Sequence, residues 1–267
     1  MPVVRQSHVV YTVQPGDTLS AIAARFGSTV LEIQRANLQD PRFIDPNVIF
    51  PGWTLVIPVP TVRPFDTTYL PVPGDTLFRI SQRFSAHFDL IAGVNRLQDP
   101  NLIFVGQLLW VPAFVYEIEV GDTLFGISRR FQIPITKILA ANEGRPGFSL
   151  DFIFVGFRLL LPLPSSRNIV VTHPFPGDIM PSRELVEGFA RVFEANVLMQ
   201  IRDDNGVIVS AERFTTALEG PPAYGYFSGT VLIDRPPTSP SGQLWVYSRS
   251  PVDGSIIDLV QVRVYFM

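Results

Sequence analysis

The chain repeats one stretch three times: Pro15-Gly16-Asp17-Thr18-Leu19, Pro73-Gly74-Asp75-Thr76-Leu77 and Val120-Gly121-Asp122-Thr123-Leu124. An asparagine stands 21 residues after each of these glycines, at positions 37, 95 and 142. Each copy then ends on an Ile-Phe-x-Gly stretch, at 49–52, 103–106 and 153–156. Three copies of one ordered pattern predict three tandem structural units.

Each copy of the stretch predicts a tight turn that leads into a short amphipathic helix. Asp and Thr favour turns and helix N-caps, so the threonine is expected to cap this helix. Apolar residues then fall at i, i+3, i+4 and i+7, as at Leu19, Ile22, Ala23 and Phe26.

A second short helix is expected after the first in every unit. In the first unit, Thr29 and Glu32 have the spacing of a capping box. The repeated asparagine stands at the C-terminal end of this helix, where a left-handed or hydrogen-bonding cap is often needed. The buried face of the helix is expected at Val30 and Ile33, at Phe88 and Ile91, and at Ile135 and Ile138.

Extended segments open and close each unit. The opening strands are expected at 9–13, 68–72 and 115–120, and the closing strands at 54–57, 108–111 and 158–161. The two strands of a unit would pair antiparallel. The result is a β-α-α-β unit of about 45–50 residues, small enough to need its whole apolar face buried.

The pattern of one unit is Tyr-x-Val-x-x-Gly-Asp-Thr-Leu, two helices, Asn, then Ile-x-x-Gly-x-x-Leu-x-Ile-Pro. It resembles the LysM domain, which binds N-acetylglucosamine-containing polymers such as peptidoglycan and chitin. The resemblance predicts LysM repeats at 9–58, 68–112 and 115–162. It implies a sugar groove between the Gly-Asp-Thr-Leu turn and the loop that joins the second helix to the closing strand.

The resemblance implies these carbohydrate-binding residues: Gly16, Asp17, Thr18, Leu19, Phe50, Pro51, Gly74, Asp75, Thr76, Leu77, Phe104, Val105, Gly121, Asp122, Thr123, Leu124, Phe154 and Val155. A neutral acetamido sugar requires no charge, because backbone groups can bind its amide and apolar rims can cover its ring. The aspartates also fit a role in the turn, and the leucines a role in the core. The phenylalanines fit either sugar stacking or packing under the local loop.

The loops and linkers differ between the units. The spacing from the repeated asparagine to the glycine of Ile-Phe-x-Gly is 15, 11 and 14 residues. The loops between them are longer than is usual for the LysM family, so they either alter which ligand binds or cover the groove. The first unit carries an insertion after Leu38-Gln39-Asp40-Pro41. A spacer from Pro58 to Pro64 is expected to be extended and semi-rigid, whereas the second and third units should touch. Several sites on one polymer would raise avidity if they can bind together.

The remaining hundred residues show alternating β segments. Strands are expected near 169–172, 187–191, 195–201, 207–213, 226–232, 243–248 and 256–265, and Asp204-Asn205-Gly206 indicates a tight hairpin. This pattern predicts an immunoglobulin-like β-sandwich at 168–267. The stretches 171–177, 181–197 and 247–255 resemble the immunoglobulin-like domain found with GerM-type spore-germination proteins, one of the GerM-associated (Gmad) families, which supplies no catalytic residues. The fold class is therefore multidomain, α+β in the repeats and all-β at the C-terminus.

Composition and motifs argue against several classes of function. The net charge of −3 gives no basic surface for nucleic acid, and no apolar run is long enough for a membrane span. Cysteine is absent, which excludes a thiolate nucleophile. Neither a nucleophile-elbow motif nor a histidine with a metal partner at short spacing is present. No catalytic residue, cofactor or metal is therefore expected, and residues 203–206 are interpreted as a hairpin turn rather than a calcium loop.

The sequence thus predicts a protein that binds peptidoglycan or a chitin-like glycan without catalysis and anchors or scaffolds a spore or envelope protein. The alternative is a structural spore-coat or germination adaptor that acts through protein contacts of the sandwich. Spore surface, spore cortex or cell wall is the expected location. Residues 1–8 do not read as a signal peptide. Either the protein leaves the cell without the standard secretion route, as one deposited on a developing spore would, or a leader has been removed.

Overall fold

The computed structural model describes residues 3–37, 45, 47–60 and 66–267. The insertion in the first repeat and the spacer at 61–64 lie outside the described residues. The chain forms two units: Met1–Ser85, Asn101–Arg129 and Ile133–Pro162 make the first, and Ala86–Pro100, Arg130–Gln132 and Leu163–Met267 make the second.

All three repeats have the predicted β-α-α-β order. Repeat one comprises β1 (Ser7–Thr12), α1 (Leu19–Phe26), α2 (Val30–Asn37) and β2 (Thr54–Val59). Repeat two comprises β3 (Thr67–Tyr69), α3 (Leu77–Arg83), α4 (Phe88–Val94) and β4 (Leu109–Trp110). Repeat three comprises β5 (Ala113–Glu117), α5 (Leu124–Phe131), α6 (Ile135–Ala141) and β6 (Arg158–Pro162).

The opening and closing strands of every repeat pair antiparallel, as predicted. In addition, β1 pairs in parallel with β3, so that repeats one and two share a sheet with the order β2-β1-β3-β4. The strands β5 and β6 form a sheet of their own. Nothing in the spacing of the repeats predicts the parallel pair.

The helix starts follow the predicted capping chemistry. The threonine hydroxyl oxygen accepts a hydrogen bond from the backbone amide three residues later, at 3.1 Å for Thr18, 3.2 Å for Thr76 and 3.0 Å for Thr123. Thr29 and Glu32 form the predicted capping box, because each side chain accepts from the backbone amide of the other.

The predicted buried face of the second helix is wrong at one position. Ile33, Ile91 and Ile138 are buried as expected, but Phe88 is 39% exposed. The ring of Phe88 stacks on His87 at the start of α4, with 4.8 Å between the ring centroids. Leu90 takes the inward position beside Ile91 instead.

The asparagine at the end of the second helix joins this helix to the closing strand. The Asn37 amide nitrogen donates to the carbonyl oxygens of Ile33 (2.7 Å) and Val56 (2.8 Å), and its oxygen accepts from the Val56 amide (2.7 Å). Asn142 makes the same three bonds with Ile138 and Leu160. Both side chains are buried. Of the two caps predicted, the hydrogen-bonding one is present, whereas the φ of Asn142 is −104°, outside the left-handed region.

Arg145 connects the asparagines of repeats one and three. Its Nη2 donates to Asn37 Oδ1 (3.0 Å) and to the carbonyl oxygen of Ala36 (3.1 Å). Its Nη1 donates to Asn142 Oδ1 (3.2 Å) and to the carbonyl oxygen of Arg158 (2.6 Å). The guanidinium is buried 4.3 Å from the centroid of the Phe157 ring, and burial lowers its pKa. Directional bonds therefore join the two repeats.

His8 is a buried titratable group in the first unit. Its Nε2 lies 3.3 Å from Arg158 Nη1. Burial, reinforced by the positive charge of Arg158, lowers the pKa of His8 to about 3. The folded protein therefore holds this imidazole neutral under conditions where the unfolded chain binds a proton.

The second unit contains the predicted β-sandwich and α4. One sheet has the order β12-β9-β7 and the other the order β11-β10-β13-β14-β8. The strands are β7 (Ile169–His173), β8 (Asp178–Met180), β9 (Arg183–Ala190), β10 (Asn196–Asp203), β11 (Arg213–Thr216), β12 (Gly225–Leu232), β13 (Ser241–Arg249) and β14 (Ile256–Phe266). The core between the sheets includes Val186, Met199, Phe227 and Val246.

The predicted strand at 207–213 is wrong, although the turn before it is present. The Gly206 amide donates to the carbonyl oxygen of Asp203 at 2.9 Å, with a φ of +81° at Gly206. The amides of Val209 and Ser210 then both donate to the carbonyl oxygen of Ile201. Two residues of one strand therefore pair with a single residue of the other, which interrupts the regular hydrogen bonding between the strands as a β-bulge does. For this reason β11 begins only at Arg213.

Within the second unit, α4 packs on the sandwich residues. Arg167 Nε donates to Asp89 Oδ2 at 2.8 Å, and the Tyr224 hydroxyl donates to the Arg167 carbonyl oxygen at 2.7 Å. Gly93 lies directly on the Tyr224 ring, where a Cβ would come within 2.1 Å of a ring carbon. Only glycine allows this approach of the helix backbone to the ring.

We predict that Asn37→Ala lowers the free energy of unfolding by about 3 kcal/mol, because it leaves buried backbone groups of β2 without a partner. Urea denaturation measures the change. The matched control is Asn47→Ala, which removes an exposed asparagine of the same repeat and should cost about 0.5 kcal/mol or less. Equal costs for the two variants would contradict the structural role of Asn37.

We predict that acid weakens the first unit through His8. Because the folded pKa is below the unfolded value of 6.5, His8 contributes its stability above pH 6.5 and loses it as the pH falls. The free energy of unfolding should decrease by as much as about 1.4 kcal/mol per pH unit between 6.5 and about 5. Urea denaturation at several pH values measures the slope. The variant His8→Gln should flatten it, and an unchanged slope would refute the assignment.

Candidate functional site

Each repeat contains two β-turns of the same kind. The first ends on the repeated aspartate, whose amide donates to the carbonyl oxygen three residues earlier, at 3.1 Å in every repeat. The second begins at Phe50, Phe104 or Phe154 and closes with the same 3.1 Å distance. The third residue of all six turns is glycine with a φ between +83° and +93°. Type II turns require this conformation, which glycine adopts without strain.

The two turns of a repeat lie side by side. The glycine amide of the second turn donates to the carbonyl oxygen of the residue just before the first turn. This bond joins Gly52 to Val13 (2.9 Å), Gly106 to Pro71 (3.3 Å) and Gly156 to Ile118 (2.8 Å). We call each pair the paired turns: 14–17 with 50–53, 72–75 with 104–107, and 119–122 with 154–157.

The aspartates of the paired turns are engaged in internal hydrogen bonds. Asp17 Oδ2 accepts from the Tyr11 hydroxyl (2.6 Å) and from the Gln14 amide (2.7 Å). Asp75 and Asp122 accept in the same way from Tyr69 and Tyr116 and from the backbone three residues earlier. Burial and the neighbouring carboxylate raise the pKa of Tyr11 and Tyr69 to about 12, so these hydroxyls stay protonated donors. One oxygen of each aspartate thus fixes the turn to its opening strand.

The other predicted residues divide between core and surface. Leu19, Leu77 and Leu124 are buried, so only their backbone can face a ligand. The glycines and threonines of the first turn are exposed. Pro51, Val105 and Val155 are exposed on the second turn.

The phenylalanines that open the second turn are not equivalent. Phe50 is 54% exposed and Phe104 is 61% exposed, whereas Phe154 is half-buried. Phe50 also meets Trp53 edge to face, with 5.1 Å between the ring centroids. Repeats one and two therefore offer an open aromatic ring beside the backbone of their turns.

Two further exposed aromatic residues were not among the predicted site residues. Phe78 and Phe125 directly follow the leucine that begins α3 or α5 and are 62% and 63% exposed. Repeat one has Ser20 at this position. Both phenylalanines lie off the i, i+3, i+4, i+7 apolar stripe of their helix, which was the available signal that they face outward.

Repeat three has a cleft of about 490 Å³ at its paired turns. Its lining consists of Glu117, Ile118, Glu119, Val120, Val155 and Gly156. Backbone groups and two valines make up much of the surface, and the glutamates add negative charge. A cleft of this kind suits a neutral polar ligand better than an anion.

The structure offers no assembled metal centre in residues 3–37, 45, 47–60 and 66–267, since no three His, Asp or Glu side chains group together there. In the same ranges, no helix combines the length and apolar character needed to cross a membrane.

Two family models match the chain. The LysM domain matches residues 11–58, 72–112 and 116–162, together just over half of the chain. The immunoglobulin-like domain of bacterial spore germination matches residues 168–255. The LysM matches support carbohydrate or peptidoglycan binding.

Known proteins resemble parts of the chain. A putative sporulation-specific glycosylase of Bacillus subtilis, YdhD, is 38% identical over 90 residues, covering 34% of this chain and 20% of the glycosylase. The secreted LysM effector ECP6 of Passalora fulva is 32% identical over 185 residues, covering 58% of this chain and 78% of the effector. The crystal structure of the Bacillus cereus spore cortex-lytic enzyme SleL matches 39% of this chain and 22% of the enzyme, at 31% identity and a TM-score of 0.30.

The chain thus spans about a fifth of the glycosylase and over three quarters of the effector. The match over three repeats and the paired turns that recur in each of them agree. The chain belongs to the LysM family, with three LysM domains followed by an immunoglobulin-like domain of the bacterial spore-germination type.

Proposed function

We propose that this protein binds an N-acetylglucosamine-containing wall polymer, peptidoglycan or spore cortex, through the paired turns of its LysM repeats. In this proposal it has no catalytic activity and anchors or scaffolds a spore or envelope protein at the cell wall or spore. The observation that carries the proposal is the paired turns with an exposed phenylalanine beside them in repeats one and two.

The chemistry of the paired turns matches an acetamido sugar. The exposed turns offer backbone amides and carbonyls, which suit the amide and hydroxyl groups of the sugar. The rings of Phe50 and Phe104 can cover the apolar face of the sugar. One oxygen of each aspartate is already bonded to tyrosine and backbone, and a neutral sugar needs no charged partner.

The relatives support a wall or spore setting. The Bacillus subtilis relative is described as sporulation-specific, and the C-terminal family model is named for spore germination. The effector relative shows that a LysM protein can be secreted without being described as an enzyme.

The contacts of the three histidines agree with a non-catalytic role. His8 is buried beside Arg158, and His87 Nδ1 accepts from the Asp89 amide at the start of α4. His173 Nε2 lies 3.0 Å from Glu184 Oε1. None of them is paired with a serine in the described contacts, as a hydrolase of the serine type would require.

The second candidate is an adaptor that binds another protein through the sandwich. Phe214 on β11 is 73% exposed, and Leu218 just after that strand is also exposed. Exposed apolar side chains on an edge strand favour a protein contact.

We predict that the full chain sediments with at least one of purified spore cortex, vegetative peptidoglycan and chitin. The double variant Phe50→Ala, Phe104→Ala should bind about tenfold more weakly, since it removes two exposed aromatic contacts worth about 1 kcal/mol each or less. Co-sedimentation over a range of polymer concentrations measures the change.

The matched control is Phe214→Ala, which removes an equally exposed ring from the sandwich and should leave polymer binding unchanged. If the wild-type chain sediments with none of the three polymers, glycan binding is wrong. If the control alone loses binding, the sandwich and not the paired turns binds the polymer, and the proposed site is wrong.

A further inference from the structure

A second cleft in the first unit lies outside the paired turns, between helices α3 and α6. Its volume is about 560 Å³. Its polar lining consists of Tyr69, Asp75, Arg79, Gln82, Arg83 and Glu143. Ile80 and Ala140 supply apolar surface. We call it the α3–α6 cleft.

Arg83 holds the two walls of the cleft together. Its Nη2 donates to the carbonyl oxygen of Glu143 at 2.7 Å, and its Nε lies 3.4 Å from the carbonyl oxygen of Ala141. The guanidinium carbon lies 5.9 Å from the centroid of the Tyr69 ring. The cleft is thus a built feature of the contact between repeats two and three.

Among the described residues, neither arginine of the cleft lies within ion-pair distance of a carboxylate. Arg83 bonds to two carbonyl groups and to the Tyr69 side chain, and the more distant carboxylates of Glu143 and Asp75 offset part of its charge. Asp75 Oδ2 already accepts from Tyr69 and Val72, whereas Arg79 is exposed and makes no such contact with a described residue. Arg79 and Arg83 are spaced i, i+4 on α3 and so share one helix face. A guanidinium pair of this kind favours a carboxylate, which arginine binds with two parallel bonds.

The rest of the lining suits the backbone of a peptide. Glu143 is exposed at the rim and can accept from an N–H group or an ammonium. Gln82 offers both a donor and an acceptor. The donors of α3 face the acceptor Glu143 after α6. This arrangement fits a short peptide with a free carboxylate better than an unsubstituted neutral sugar.

Asp75 places this cleft next to the paired turns of repeat two. The residue belongs to the first turn and also lines the α3–α6 cleft. A glycan on the turn can therefore present a substituent to the cleft without leaving its own site.

We propose that the α3–α6 cleft binds the carboxylate-bearing peptide substituent of an amino-sugar polymer, with Arg79 and Arg83 as the carboxylate partners. This inference rests on the proposed function, since the glycan is held at the paired turns. It makes peptide-bearing peptidoglycan the preferred polymer over chitin, which has no carboxylate.

The test compares three soluble probes by calorimetry on the full chain. They are peptide-bearing peptidoglycan strands, the same strands after enzymatic removal of the peptides, and an N-acetylglucosamine hexamer. The second probe keeps the lactyl carboxylate of each muramic acid and so tests for the peptide, whereas the hexamer has no carboxylate. The wild-type chain should prefer the peptide-bearing strands by about tenfold. The exposed-site variant Arg79→Gln should abolish most of this preference and leave binding of the hexamer unchanged.

A matched control and a second variant distinguish an effect of the cleft from the effect of losing any arginine of the repeats. Arg25 occupies in α1 the position that Arg83 occupies in α3, and it does not line the cleft. The control Arg25→Gln should keep the preference. Arg83→Lys retains the charge but loses the forked geometry, and it should reduce the preference as Arg79→Gln does.

Equal binding of the first two probes by the wild-type chain would overturn the cleft proposal. An Arg79→Gln variant that keeps the preference, or that loses hexamer binding as well, would also overturn it. In each of these cases the wild-type chain still binds glycan, so the proposed function stands. If the wild-type chain binds none of the three probes, the proposed function itself is wrong and the cleft proposal falls with it.

Discussion

The amide of Asn37 is buried between the second helix of repeat one and its closing strand, and the repeat depends on the three bonds that it makes there. The helix is only eight residues long, and a helix of this length is marginal by itself in water. The core of so small a unit is thin. The hydrogen bonds of Asn37 to the second helix and to the closing strand fix how these two elements align, which apolar packing alone does not determine. They also position the second turn, because residues 50–53 lead directly into β2 at Thr54.

The same amide extends the constraint to a second repeat. Asn37 Oδ1 accepts from Arg145, which also bonds to Asn142. Buried polar networks favour one arrangement because moving a member leaves its buried partners unpaired. Among the described residues, only Nε of the Arg145 guanidinium lacks a partner in this arrangement. The relative orientation of repeats one and three is thus held by directional bonds. Under the proposed function, sites held at fixed spacing would gain avidity only for a polymer whose repeat matches that spacing.

Local features of the fold could be predicted from the sequence, and distant ones could not. The caps at Thr18, Thr76 and Thr123 and the apolar stripe of α1 depend on neighbours within one or two turns. The partner of Asn37 on β2 is 19 residues away, and Arg145 reaches across 108 residues to Asn37. No spacing rule indicates such contacts, and an arginine that follows a glycine reads as a surface residue. The strand expected at 207–213 failed for a related reason, since its bulge depends on Ile201 in the partner strand.

In the candidate site, too, the local features could be predicted from the sequence and the others could not. The turns that carry it could be located from Gly-Asp-Thr-Leu and Ile-Phe-x-Gly because glycine at a fixed turn position is a local requirement. Which side of the turn each ring occupies was open, and the structure exposes Phe50 and Phe104 but not Phe154. Phe78 and Phe125 lie outside the repeated Gly-Asp-Thr-Leu and Ile-Phe-x-Gly motifs, and repeat one has Ser20 at this position, so the repeat pattern does not mark them as site residues.

The paired turns also suggest how three similar repeats can differ in binding. The Tyr–Asp bond and the glycine conformation are the same in each, so the backbone surface that can bind an acetamido group is shared. The exposed side chains next to the paired turns, which we call the rims, differ between the repeats. Repeat one has Phe50 without an aromatic residue at position 20, repeat two has both Phe104 and Phe78, and repeat three combines Phe125 with two glutamates. Under the proposed function, recognition of the sugar is common to all three repeats, and the rims set the affinity of each.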